Sequence, residues 1–192
     1  AGITSLVDVR SLRDRASVDQ LTRLPNRSEF ERRTNELIAQ SERTGRGFAM
    51  LLFDLNGFKA INDTYGHAAG DELLQVIGER LARSTRSGDT VARWGGDEFV
   101  VVMPGVVDDE MGARRGREIA AAISGRTRID SARESVRVGA SVGVAFWPRH
   151  GAHLRTLVEA ADAAMYTAKR QGLGCVVAPG PRLPDTAPTE LV

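Results

Sequence analysis

The sequence predicts an α+β fold, an α/β sandwich in which helices surround a mixed central sheet of about five strands. Three observations lead there. Residues 48 to 55, "FAMLLFDL", form a nearly unbroken apolar run, as expected of a strand covered on both faces. Val136, Val138, Ala140, Val142, Val144 and Phe146 alternate with small or polar residues, a strand pattern of period two. Other segments repeat leucine and isoleucine at three- and four-residue spacing, the mark of amphipathic helices packed on a sheet.

The elements follow in order. Residues 1–20 place Leu6, Val9, Leu12 and Val18 at loosely helical spacing and read as a helical lead-in. "NRSEFERRTNELIAQSERTG" puts Phe30, Leu37 and Ile38 on one helix face, offers Ser28 as a cap, and stops at Gly45 and Gly47. The apolar strand then ends at the acid Asp54. "GDELLQVIGERLARSTR" forms a helix through Leu73, Leu74, Ile77 and Leu81. In "ARWGGDEFVVV" the pair Gly95 and Gly96 between apolar runs signals a hairpin, which leaves Asp97 and Glu98 at its turn. "GREIAAAIS" continues as a helix, and the alternating strand runs to Pro148, its glycines leaving one face thin. Leu154, Leu157, Val158, Ala161 and Met165 mark a last helix, and "GCVVA" reads as an edge strand. From Pro179 the chain carries Pro181, Pro184 and Pro188, so residues 179–192 read as a linker or disordered tail and residues 21–178 as one domain.

Composition excludes several classes. The chain has 192 residues, with 26 basic and 25 acidic side chains and a net charge of +1, so no polyanionic or membrane partner is indicated. Aromatic residues make up 5%, too few for a nucleic-acid groove built on stacking. Cys175 is the single cysteine, which fits a reducing compartment, and no apolar run reaches membrane-spanning length; a cytoplasmic location is expected. His67, His150 and His153 show no zinc-type spacing with that cysteine.

Chemistry centres on the acids. Pairing the strand that ends at Asp54 with the hairpin brings Asp54, Asp97 and Glu98 to one edge of the sheet. Hard oxygen ligands there suit Mg²⁺ and phosphoryl transfer. Turn acids such as Asp97 and Glu98 are often merely solvated, whereas an acid at the end of an apolar strand needs a partner. Between them lies "DLNGFKAINDTYGHAAGDELL", residues 54–74, rich in polar and turn residues. Lys59 and backbone amides can hold phosphate, and Asn62 with Asp71 can read guanine, whose N1 and N2 hydrogens suit an aspartate and whose O6 suits an asparagine amide. Turn formation and helix capping are the alternative roles for Asn62 and Asp71.

The motif "GGDEF" at 95–99 resembles the signature of the GGDEF domain, the diguanylate cyclase family, and the resemblance spans most of the chain. "DQLTRLPNR" (19–27), residues 54–74, "ASVGVA" (140–145) and "ADAAMYTAKRQG" (161–172) all resemble family segments. The resemblance implies a fold similar to the palm of class III nucleotide cyclases. It also implies condensation of two GTP into cyclic di-GMP with release of two pyrophosphates, in a homodimer because each chain would bind one GTP. Asp54, Asp97 and the carbonyl of Leu55 then resemble the ligands of Mg²⁺, or of Mn²⁺ in its place, and Asp97 also assists the 3′-hydroxyl. Glu98 supports the metal site, Asn62 and Asp71 match the guanine readers, and Phe58, Lys59 and Lys169 match phosphate contacts. Gly95 and Gly96 would let the triphosphate approach the hairpin backbone.

"RSGD" resembles an RxxD site for feedback inhibition by the product, with Arg86 and Asp89 as its ends and Arg117 as the secondary arginine. Two departures stand out. Leu173, followed by Gly174, replaces a phosphate-contacting arginine of many members, and Asn56 stands where aspartate is frequent. The alternative reading is a catalytically weak module that binds GTP or cyclic di-GMP and regulates an attached domain. The lead-in resembles a signalling helix from an upstream sensor, and the tail points toward a further domain such as an EAL phosphodiesterase.

Overall fold

The computed structural model describes residues 17–180; the expected lead-in as far as Ala16 and the tail from Pro181 lie outside the described residues. Among these residues are the helices α1 (Arg27–Thr44), α2 (Phe58–Tyr65), α3 (His67–Ser84), α4 (Asp109–Ile123) and α5 (Leu154–Gln171). The strands are β1 (Phe48–Asn56), β2 (Thr90–Gly95), β3 (Glu98–Pro104), β4 (Gly125–Ile129), β5 (Glu134–Trp147) and β6 (Cys175–Val177). The sheet order is β2-β3-β1-β5-β4, and β6 also pairs with β5. Only the β5–β6 pairing is parallel, so the sheet is mixed as expected.

Six strands replace the expected five or so. The additional strand, β4, reads "RTRI" after its first glycine, with Thr127 and Ile129 buried and Arg126 and Arg128 exposed. So short and charged a segment gains its order from pairing with the first half of β5.

Helix limits shift for identifiable reasons. The cap of α1 is Asn26, not Ser28: Asn26 is extended, and its side chain accepts a hydrogen bond from the Glu29 amide at 3.0 Å, while Ser28 is already helical. Gly45, with φ of 68°, ends the helix as expected. Asp108 caps α4 through the Met111 amide, starting that helix well before "GREIAAAIS". The larger correction is α2, where residues expected to form a polar loop make two helical turns held down by buried Ile61.

The core divides by strand parity. On one sheet face Ala49, Leu51, Phe53, Leu55, Val101, Met103, Val142, Val144 and Phe146 pack against the helices α2, α3 and α4. On the other, Phe48, Met50, Leu52, Val100, Val102, Ala145 and Trp147 pack under α1 and α5. Even-numbered residues of β1 and β3 thus face α5. That parity decides where Asp54 and Glu98 are displayed.

Candidate active site

Asp54 continues the Met50, Leu52 series of β1, and Glu98 begins the Val100, Val102 series of β3. The two are Cα partners across the antiparallel ladder, so both carboxylates emerge on the α5 side at the same end of the sheet. A two-residue turn, Gly96 and Asp97, joins β2 to β3. Gly96 has φ of 51°, a conformation that glycine adopts without Cβ strain, and the Leu55 amide donates to the Asp97 carbonyl at 3.3 Å. The turn is therefore tied to the strand that carries Asp54.

Helix α5 closes the site from above. Its buried face, Leu157, Ala161, Ala164, Met165 and Ala168, seats it on the sheet and presents Lys169 from its last turn. The Lys169 Nζ donates to Asp54 Oδ1 at 2.6 Å. Asp54, Glu98, Asp162, Met165, Tyr166 and Lys169 line a cleft of about 330 Å³.

The electrostatics are those of crowded acids. Burial, with the charge of Asp54 added, holds the Asp97 carboxyl above the usual range. Burial also raises Glu98, reinforced by Asp54, Asp162 and Asp97. The hydrogen bond to Asp54 raises Lys169. Among the described residues no three His, Cys, Asp or Glu side chains form a metal cage of their own. The donor set expected from the sequence, two carboxylates and the Leu55 carbonyl, differs from such a cage. Its chemistry fits a hard divalent cation, since anionic oxygens held together against their own repulsion are stabilised by one.

Around this centre the other expected residues fall into three groups. Phe58 and Lys59 occupy the first turn of α2, directly after β1, and Lys59 is exposed. Asn62 lies on α2 with its Oδ1 buried, unpartnered and turned toward Gly70, while Asp71 is exposed in the first turns of α3. The α2–α3 pair thus brings Asn62 beside the helix that carries Asp71. Gly95 and Gly96 are exposed, with open space where a Cβ would stand.

Arg86 and Asp89 form a tight turn between α3 and β2: the Asp89 carboxylate accepts from the Arg86 amide at 2.9 Å, and the Asp89 amide donates to the Arg86 carbonyl at 3.0 Å. Arg117 is exposed on α4, next to Glu118, whose carboxyl is lowered chiefly by its hydrogen bond to Arg115 and slightly by Arg86. Leu173 is exposed and presents no guanidinium. Asn56 has a structural partner, accepting from the Ser141 hydroxyl at 3.1 Å.

Sequence reasoning missed two contributors. Asp162 lies one and two turns before Met165 and Lys169 on the same helix, a spacing that helical periodicity exposes once α5 is placed over Asp54. Arg93 donates to the Gly96 carbonyl at 3.0 and 2.8 Å and reaches the Asp19 carboxylate at 3.3 Å, bracing the turn from beneath. Asp19 in turn accepts from the amide and hydroxyl of Thr22. The sequence signals that brace only through the place of Asp19 in the segment 19–27 and of Arg93 beside the GGDEF motif.

Comparison with known proteins agrees with this architecture. The family model for the diguanylate cyclase GGDEF domain matches residues 16–175. Over 163 residues the chain is 43% identical to the bifunctional diguanylate cyclase/cyclic di-GMP phosphodiesterase MucR of Pseudomonas aeruginosa, covering 85% of this chain and 23% of that protein. It is 37% identical over 164 residues to the diguanylate cyclase TpbB of the same species, covering 85% of this chain and 38% of the relative. The chain therefore spans well under half of the length of these relatives. Among solved structures, the coiled coil and GGDEF domain of DgcB from Caulobacter crescentus, in complex with c-di-GMP, matches with a TM-score of 0.83 at 28% identity, over 92% of this chain and 93% of that one. A structure of TpbB comprising only its GGDEF domain matches with a TM-score of 0.78 at 36% identity, over 84% and 94%. With the fold, the signature hairpin and the family match in agreement, the chain belongs to the GGDEF domain, the diguanylate cyclase family.

Proposed function

We propose that this domain condenses two GTP into cyclic di-GMP with release of two pyrophosphates, as a homodimer in which each chain holds one GTP. The observation that carries the reading is the display of Asp54, Asp97 and Glu98 at one end of the β1–β3 pair, with Lys169 across the cleft.

In this reading Asp54, Asp97 and the Leu55 carbonyl hold Mg²⁺, or Mn²⁺ in its place, with Glu98 supporting the site. The bound cation neutralises phosphate charge and lowers the pKa of the attacking hydroxyl. Asn62 and Asp71 grip guanine, fixing the nucleotide so that its α-phosphorus faces the partner's ribose. Phe58, Lys59 and Lys169 position the phosphates, and the bare backbone at Gly95 and Gly96 gives them room. The 3′-oxygen of one nucleotide attacks the α-phosphorus of the other, Asp97 assists removal of the hydroxyl proton, and the bond to pyrophosphate breaks. The same step in the opposite sense closes the ring. Arg86, Asp89 and Arg117 form a separate site at which the product inhibits.

Domain context follows the relatives. MucR is named as bifunctional, and an EAL/GGDEF domain protein of M. capsulatus is 35% identical with a TM-score of 0.67. An upstream sensor and a downstream EAL domain in the full-length protein are the corresponding proposals here. No described helix is long and apolar enough to cross a membrane.

The test uses concentrated, nucleotide-stripped protein with α-labelled GTP and Mg²⁺, its products separated by chromatography. Cyclic di-GMP from the wild type and none from Asp97→Ala is the expected result. GTP binding without product, even under forced dimerisation, would replace the cyclase with a regulatory module, a reading to which exposed Leu173 lends its missing guanidinium.

A further inference from the structure

The Asp54 carboxylate is largely covered, its side chain 14% exposed, and it accepts a hydrogen bond from the Lys169 ammonium at 2.6 Å. Lys169 itself is half exposed and sits in the last turn of α5, on a flexible four-carbon stem that can swing its charge without moving the helix. Glu98 and Asp162 share the cleft, so the ammonium is the local cation of an otherwise acidic pocket. An ammonium bonded to Asp54 Oδ1 at this distance competes with a divalent ion for the same carboxylate, because two cations held at one group repel each other.

We infer that Lys169 is an exchangeable cation for Asp54: it occupies the carboxylate before metal arrives, and metal entry displaces it toward the phosphates of the nucleotide. This rests on the proposed metal-dependent reading of the site. It goes beyond it by giving one residue two successive partners and by coupling two binding events. Metal binding to the empty domain is opposed by the ammonium already paired with Asp54. Metal binding with a nucleoside triphosphate is not opposed to the same degree, since the released ammonium finds phosphate oxygens. Metal and nucleotide thus favour each other's binding through Lys169, and by linkage the coupling is reciprocal.

The charge must act by contact and not merely by proximity. Arg170, the next residue, carries the same charge but lies over the Tyr166 ring, with its guanidinium carbon 5.7 Å from the ring centroid. It is the internal control.

The experiment titrates Mn²⁺ alone into nucleotide-stripped protein, reading free Mn²⁺ by electron paramagnetic resonance, for wild type, Lys169→Met, Arg170→Met and Asp54→Ala. The expected result is Mn²⁺ affinity about fivefold or more tighter in Lys169→Met, the size of one part-buried ion pair, little change in Arg170→Met, and loss in Asp54→Ala. Repeating the titration with a non-hydrolysable GTP analogue, the gain in Mn²⁺ affinity from nucleotide shrinks in Lys169→Met. Equal tightening in Arg170→Met and Lys169→Met would reduce the effect to general charge and overturn the exchange. Unchanged affinity in Lys169→Met, with Asp54→Ala still abolishing binding, would overturn the exchange and leave the metal site standing. Absence of Mn²⁺ binding in wild type and Lys169→Met alike, with and without the analogue, would remove the metal reading itself and the exchange with it.

Discussion

Gly143 on β5 lies directly beneath Ala161 on α5: a Cβ at position 143 would collide with the Ala161 carbonyl oxygen and the Met165 amide nitrogen, and would stand 2.9 Å from the Met165 Cβ. The bare strand lets α5 sit close on the sheet, and this closeness sets the reach of Lys169 to Asp54. Gly143→Ala is expected to destabilise the domain by about 1–3 kcal/mol, because the helix must lift. Urea unfolding measures the loss. Product formation under conditions where the variant remains folded should fall further than that loss accounts for.

Glu98 and Asp97 titrate above the ordinary carboxylate range, so the fold favours their protonated forms. The sign follows from linkage: their contribution is fully present below the unfolded carboxylate pKa and is lost as pH rises through the raised folded values. At pH 7 both charges therefore strain the site. Glu98→Gln should raise stability at pH 7 by a few tenths to about 1 kcal/mol after solvent screening. The gain should vanish near pH 4, where wild-type Glu98 is itself protonated. Equal gains at both pH values in chemical denaturation would contradict this account.

Arg93 links the Gly96 carbonyl to Asp19, so its guanidinium holds the turn that carries Asp97. Arg93→Ala removes charge-assisted hydrogen bonds and is expected to cost about 1–3 kcal/mol. If the brace positions Asp97, kcat falls with KM for GTP nearly unchanged, and Arg93→Lys, lacking the fork, recovers only part of the loss. A proportional rise in KM instead would assign Arg93 to nucleotide binding.

Asp71 is the expected partner of the guanine N1 and N2 hydrogens, while Asn62 has a buried oxygen without a protein partner. Asp71→Ala should lower the preference for GTP over ATP by about 10- to 100-fold, the usual value of one bidentate base contact. Competition binding with both nucleotides reads the ratio. An unchanged ratio would return Asp71 to a role in helix α3 alone.

Arg86 is exposed in the turn closed by Asp89. Arg86→Ala is expected to weaken cyclic di-GMP binding by about tenfold or more, because a charged bidentate contact is lost, and to relieve inhibition. Calorimetric titration of the product settles it, with unchanged affinity as the contrary result. The backbone turn is made by main-chain atoms and the Asp89 carboxylate, so the variant keeps its fold.

The strands and helices with strong periodicity were legible in the sequence. The run of residues 48–55 and the alternation of residues 136–146 became β1 and β5, which share the longest register in the sheet. Weakly patterned elements were not: β4 has the alternation of a strand in only four residues, and α2 mixes Lys59, Asn62 and Asp63 into a helix whose order comes from one buried isoleucine and its packing on α3. Local composition there favours turns, and tertiary contact overrides it. Ser28 failed as a cap for a similar reason, since two neighbouring cap-forming residues differ only in which one the chain leaves extended.

By itself the sequence determined the fold class and the family, because these depend on residue type and spacing. Only the tertiary structure decided that Asp54 and Glu98 face the same side as α5, that Lys169 meets Asp54 across 115 positions of chain, and that Asp162 and Arg93 join the site. Strand register and helix seating are long-range properties. They follow from how two core layers close on one sheet, with Gly143 allowing the approach, and no local pattern encodes that distance.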